Sequence, residues 1–347
     1  MQFATITSPH TDRPNSVPAT MLWVIIALTP GAVAMTWYFG WGIVTHMVLA
    51  SITAVAAEAF VLRLRGKPVM PAISDLSAVV TALLLAIAIP PLLPWWLTVL
   101  GAVFAIVVAK HLYGGIGYNP FNPAMIAYVL LLVSYPVEMT TWLPPILLNQ
   151  HPLDFMQTLT AIFSGTLPPG LDWDALSMAT PLDEMRTQIN QNRMISEIRQ
   201  SPLWGDFGGL GWEWVGNWYL LGGLILLYKR VISWHIPVAM LGAVLVMAML
   251  FHFLDQESHP FGLFHIFSGG TLLGAFFIAT DPVSAATTKK GQLIYGACIG
   301  LITYIIRRWG GYPDAVAFAV LLMNMAAPMI DYYTQPRVFG QRSTGDD

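Results

Sequence analysis

Residues 41–62 read WGIVTHMVLASITAVAAEAFVL, and Arg63, Arg65 and Lys67 follow at once. This run is predominantly apolar, and its only ionisable side chains are His46 and Glu58. A bilayer core needs about 20 such residues to be crossed as one helix. The basic cluster marks the cytoplasmic end, because Lys and Arg stay on that side. Nine further runs resemble this one. They lie near Met21–Trp37, Leu76–Ile89, Trp95–Ala109 and Pro123–Tyr135 on the N-terminal side. On the C-terminal side they lie near Trp214–Tyr228, Trp234–Leu254, Phe261–Thr280, Gln292–Ile306 and Ala315–Ile330. The expected fold is an all-α polytopic membrane protein with about ten transmembrane helices.

Composition agrees. Hydrophobic residues make up 56% and charged residues 10%, against about 25% charged in a soluble domain. Mean hydropathy is +0.61. The 13 tryptophans suit the water interfaces. The net charge of −3 and the absence of a basic patch give no reason to expect nucleic acid. The single cysteine, Cys298, excludes a disulfide within the chain. It also excludes an iron–sulfur cluster held by this chain's thiolates alone, which needs about four. Redox chemistry here needs an organic cofactor. His46, Glu58, His235 and His252 lie in or near spans without metal-ligand spacing, so no metal is expected.

Organisation follows from the charges. Clusters at 63–67, 110, 229–230 and 289–290 can share the cytoplasmic side, while Arg307 and Arg308 fall on the other. Segment 1–20 is then a cytoplasmic N-terminal piece with no evident cleavable signal. Residues 21–136 form a first five-helix repeat. Residues 137–212 are an acidic extracytoplasmic insert, 213–333 a second five-helix repeat, and 334–347 a cytoplasmic tail. The halves echo each other at an offset of 190: Thr81 and Leu83 with Thr271 and Leu273, Pro123 and Ala127 with Pro313 and Ala317. Five spans per half is odd, so the second half is inverted. Inverted repeats with interrupted helices carry binding sites near their shared axis. Pro90-Pro91 and Asp281-Pro282 fall at equivalent breaks.

Three polar stretches stand out. Gly114-Gly-Ile-Gly-Tyr-Asn-Pro-Phe-Asn-Pro123 offers Asn119 and Asn122 as paired donors and acceptors, or else a plain Asn-Pro turn. Ser268-Gly-Gly-Thr-Leu-Leu-Gly274 allows close helix packing. It leads to Ala279-Thr-Asp-Pro-Val-Ser284, where Asp281 marks an ion or cofactor site or caps the next turn. Glu58 is a candidate intramembrane proton or ion relay, or a paired or snorkelled carboxylate. In the insert, Asp174-Ala-Leu-Ser-Met-Ala-Thr180 precedes Pro181 and Glu184. On its own it reads more readily as the cap of a short helix.

In chain order, Gly117–Ala124, Asp174–Thr180 and Ala279–Ser284 resemble the RnfD family, a membrane component of Rnf electron-transport complexes. They are similar also to the B component of the sodium-pumping NADH:quinone reductase. The resemblance covers nearly the whole chain. It implies FMN joined through its phosphate to the Thr180 hydroxyl, with Asp174, Ser177 and Ala179 completing the attachment motif and Met178 where glycine is usual. A threonine hydroxyl is a weak nucleophile, and the family uses a separate flavin transferase. A second flavin, riboflavin, is implied at Asn119, Asn122 and Asp281. The implied partners are the other Rnf subunits, above all the flavin-bearing G component, and membrane lipid. The implied place is the bacterial inner membrane, with the flavin loop on the periplasmic side. Such complexes couple electron transfer between ferredoxin and NAD to sodium or proton movement. The rival class is a solute transporter or channel with inverted repeats and no flavin, and a structural scaffold is a third.

Overall fold

A computed structural model describes residues 16–312 and 314–336. The expected repeat match at Pro313, most of the N-terminal segment and most of the tail lie outside the described residues. Those described form an all-helical, polytopic membrane protein. Helices α1 (Val17–Phe39) and α2 (Gly42–Leu64) are joined by a tight turn at Gly40, whose φ of 89° suits glycine. Then come α3 (Ser77–Ala88), α4 (Trp95–Val103, continuing as a π-helix over Phe104–His111) and α5 (Pro123–Ser134). The insert holds α6 (Phe155–Ser164) and α7 (Pro181–Asn190), with one helical turn, Trp173–Leu176, between them. Next come α8 (Trp212–Tyr228), α9 (His235–Leu254) and α10 (Gly262–Phe267). The last are α11 (Thr271–Leu273, continuing as a π-helix over Gly274–Ile278), α12 (Lys289–Trp309) and α13 (Val316–Thr334).

Helices α1, α2, α9 and α13 are long and apolar enough to cross a membrane, and α3, α4 and α5 are shorter apolar helices. Apolar side chains also face outward: Ile52 is 65% exposed, Val246 66% and Met325 67%. A water-soluble surface would not leave so many; lipid is the natural solvent for them.

Without a hydrophobic drive between helices in lipid, association depends on close packing at small residues. Gly31 lies against Tyr219, and Gly222 against the Ala27 carbonyl, so α1 and α8 run antiparallel in contact. Gly296 and Gly300, four apart on α12, meet the carbonyls of Ile236 and Met240 on α9. A Cβ at Gly300 would overlap the Met240 oxygen.

Several expectations need correction. The run over 261–280 is not one continuous helix. It breaks at Ser268–Gly270, where Gly269 has a φ of 63° and the Gly270 N–H donates to Asp314 Oδ2 at 2.6 Å. Of the small residues there, Gly274 serves packing, against Val316, while the first three make the break. Helix α12 is longer than the expected 292–306, and takes in Lys289, Lys290, Arg307 and Arg308. Arg307 is buried and pairs with Asp314, so it is no free loop charge. Lys110 is likewise buried in an ion pair and carries no weight for orientation. The groups at 63–67, 229–230 and 289–290 are exposed.

Candidate functional site

Two of the cavities along the bundle contain the residues singled out in the sequence. The outer one opens beside Thr180. Just upstream, Leu176 is buried and anchors a single helical turn, leaving Asp174 and Ser177 exposed. The Met178 N–H donates to the Trp142 carbonyl at 2.9 Å, so the loop is pinned to the wall of the cavity. Thr180 then caps α7: its Oγ1 accepts from the Asp183 N–H at 3.3 Å, and Pro181 takes the first helical position. The capping reading of this sequence therefore holds locally.

The cavity holds about 1100 Å³ of empty space, its open mouth included. Trp142 and Trp212 meet edge to face on its wall, with centroids 5.1 Å apart. Tyr219 also lines it; its hydroxyl is buried and has no partner in the protein. Burial raises the Asp183 carboxyl above the usual carboxylate range, Arg186 opposing and Glu184 adding to the shift. Gly269, Gly270 and Asp314 border the same space. Arg307 holds this corner, donating to the His265 carbonyl at 2.7 Å, to Asp314 Oδ1 at 2.9 Å and to the Ser268 carbonyl at 3.4 Å.

The inner cavity, about 850 Å³ with its open mouth included, brings Asn119, Asn122 and Asp281 around one space, together with Ser77 and Lys110. Asn122 caps α5, its Oδ1 accepting from the N–H groups of Ala124 at 3.0 Å and Met125 at 3.2 Å. Its Nδ2 donates to the Ile278 carbonyl at 3.4 Å. Asn119 Nδ2 donates to the Phe121 carbonyl at 2.9 Å. Asp281 accepts from the Val283 N–H at 3.2 Å and the Ser284 hydroxyl at 2.9 Å. Ile278 lines the outer cavity while its carbonyl is bonded from Asn122 of the inner one, so the two share a thin wall.

The chain matches the model of the NQR2, RnfD, RnfE family over residues 4–340. It belongs to that family. It is 52% identical over 349 residues to the D component of the ion-translocating oxidoreductase complex of Aliivibrio salmonicida, covering 99% of each chain. It is 50% identical to the component of the same description from Aeromonas salmonicida, over 98% of this chain and 99% of that one. With the Vibrio cholerae counterpart it shares 51%, over 98% of this chain and 100% of the relative.

In this member of the family Met178 needs no glycine-like backbone. Among the described residues only Leu76, Asn192 and Arg230 carry a positive φ without being glycine. Glu58 is buried and paired, not snorkelled: Oε1 accepts from Lys110 Nζ at 2.6 Å and lies 2.9 Å from His111 Nε2. No sequence pattern signals these partners, which lie 52 and 53 residues away and read as the end of a span. Tyr219 and the Arg307–Asp314 pair carry no signal either. His46 is held by the Pro91 carbonyl at 3.2 Å and the Thr98 hydroxyl at 2.9 Å, a packing role. His252 Nδ1 lies 2.8 Å from the His259 carbonyl. Among the described residues no group of three or more His, Cys, Asp or Glu is placed to hold a metal ion.

Proposed function

We propose that this chain is the RnfD component of an Rnf-type, ion-motive ferredoxin:NAD oxidoreductase in the bacterial inner membrane, moving electrons across the bilayer between two flavins. The single observation that carries the reading is the pair of cavities divided by Ile278, one beside Thr180 and one around Asn119, Asn122 and Asp281. Full-length identity of about half to the D components of ion-translocating complexes supports it. An inverted arrangement of ten spans in two halves belongs to the same reading. In its favour, α1 and α8 pack antiparallel, and α3 and α11, which carry the Thr81 and Thr271 echoes, each end at a break.

The residues fit the cofactors. Thr180 supplies the ester oxygen for the FMN phosphate, at the N-terminus of α7, where backbone N–H groups and the helix dipole favour an anion. An ester oxygen at Thr180 can still accept from the Asp183 N–H, so attachment need not undo the cap. Trp142, Trp212 and Tyr219 cover the ring and exclude water, and the unpartnered Tyr219 hydroxyl is a ready donor to a ring carbonyl. A flavin ring supplies stepwise acceptance and release of electrons. In the inner cavity Asn119 and Asn122 orient riboflavin, Asp281 shapes the opposite wall, and Lys110 balances negative charge. The insert with Thr180 faces the periplasm, where the flavin transferase and the flavin-bearing G component reach it. The coupled ion is sodium or a proton.

Denaturing electrophoresis tests the reading against the transporter alternative. The purified chain, co-expressed with the transferase, should keep flavin fluorescence in the gel. A chain that folds, moves solute and shows no flavin would establish the alternative.

A further inference from the structure

The hydrogen bonds around Glu58 are more than a neutralised pair. In a buried ion pair that serves structure, both carboxylate oxygens are as a rule satisfied, because an orphaned one is costly. Glu58 is 1% exposed, yet its Oε2 is buried with no partner. Oε1 takes Lys110 and His111. Lys110 Nζ also donates to Ser77 Oγ at 2.7 Å, and the Ser77 hydroxyl donates to Asp75 Oδ1 at 2.5 Å. Asp75 is half-buried, in the loop before α3. A continuous chain of groups able to pass a proton thus runs from Asp75 to a carboxylate with one free oxygen. Two of its links, Ser77 and Lys110, line the inner cavity.

We propose that Glu58, with Lys110 and His111, is a proton-loading site for the inner cavity, filled through Ser77 and Asp75. The inference rests on the inner cavity holding a redox-active ring, as argued above. A ring reduced there by one electron would bring one negative charge into that cavity. Lys110, which borders it, stays in contact with Glu58, and the new charge calls in one compensating proton. Lys110 then gives one ammonium proton to Glu58, takes the hydroxyl proton of Ser77, and Ser77 is refilled by a proton that Asp75 takes from water. One electron and one proton enter together, and every relay group ends as it began. The charged and titratable groups facing Glu58 are Lys110 and His111 from the π-helical end of α4, with Asp75 behind Ser77. Asp281 stands on the cavity's other side, and Arg63 on α2 is exposed.

The test is infrared difference spectroscopy of the purified complex, reduced minus oxidised, with non-covalent flavin measured by extraction. Reduction should raise the carbonyl band of a protonated carboxylic acid that shifts in heavy water. Glu58→Gln should lose that band and keep its non-covalent flavin. Asp75→Asn and Ser77→Ala should show the band at full height but arriving more slowly. Full non-covalent flavin with no acid band in the native complex would overturn the inference alone. So would a band that persists in Glu58→Gln, or unchanged kinetics in both relay variants, which decide the matter if Glu58→Gln does not fold. A native complex without non-covalent flavin would overturn the reading of the inner cavity, and this inference with it.

Discussion

Replacing Arg307 by methionine is the sharpest test of how the outer cavity is built. The Arg307 side chain is 2% exposed, and the guanidinium donates to two carbonyls of the 265–268 segment and to Asp314. Methionine fills much of the volume but satisfies none of these acceptors. Removing one partner of a buried pair costs about 3–5 kcal/mol. The Asp314 side chain is 28% exposed and keeps the Gly270 N–H, so the lower end, about 3 kcal/mol, applies here. Arg307→Met with Asp314→Asn removes both charges, and the double variant should recover about 1–2 kcal/mol of that loss through their coupling. Reversible unfolding of the detergent-solubilised protein measures both quantities. Hydrogen exchange at Gly270–Leu273 should rise in the single variant, because that backbone loses its clamp. An Arg307→Met protein within about 0.5 kcal/mol of native, the range of an ordinary surface change, would refute the claim that this residue holds the break.

Three further outcomes follow from the same geometry. Gly300→Ala drives a methyl group into the Met240 carbonyl and should cost about 1–3 kcal/mol, whereas Gly242→Ala, with nothing within 4 Å, should be neutral or slightly stabilising in the same unfolding assay. Asp281→Ala should impair electron transfer through the protein and lower non-covalent flavin while the covalent flavin stays; normal transfer with full riboflavin content would count against the inner site. In a Cys298→Ala background, single cysteines at Asp154 and at Ser343, the latter outside the described residues, should react with an impermeant reagent from opposite faces of the membrane. Labelling from one face would remove the ten-span arrangement.

Much of the fold was legible because lipid imposes a simple code. Apolar runs near 20 residues marked α1, α2, α9 and α13 to within a few residues. Asn119, Asn122 and Asp281 were legible as a group because polar residues at helix breaks in a membrane have few bland uses, and they do share a cavity. What stayed hidden depended on contacts between distant segments. Lys110 and Arg307 read as flanking charges because a basic residue at the end of an apolar run looks the same whether it meets water or a buried carboxylate. Glu213 reads as one more charge just past the acidic insert, yet it is buried and accepts from the N–H groups of Phe207 and Gly208. The break at Ser268–Gly270 was masked by glycines that serve helix packing as readily as they end a helix. The capping and acceptor readings of Thr180 are compatible, since one oxygen can cap α7 at the mouth of a cavity and still be the atom that is modified.

The most direct measurement is mass spectrometry of the peptide containing Thr180, from protein made with the flavin transferase present. The hydroxyl of Thr180 should carry FMN as a phosphoester. Thr180→Val should lose that mass and all in-gel fluorescence yet remain folded, since a lost cap costs only about 1 kcal/mol. Thr180→Ser retains the oxygen and should keep part of the label, and Ser177→Ala should keep it in full. The same mass on Ser177 would move the acceptor by three residues and leave a flavoprotein. An unmodified Thr180 in such a preparation, with no flavin elsewhere on the chain, would contradict the assignment.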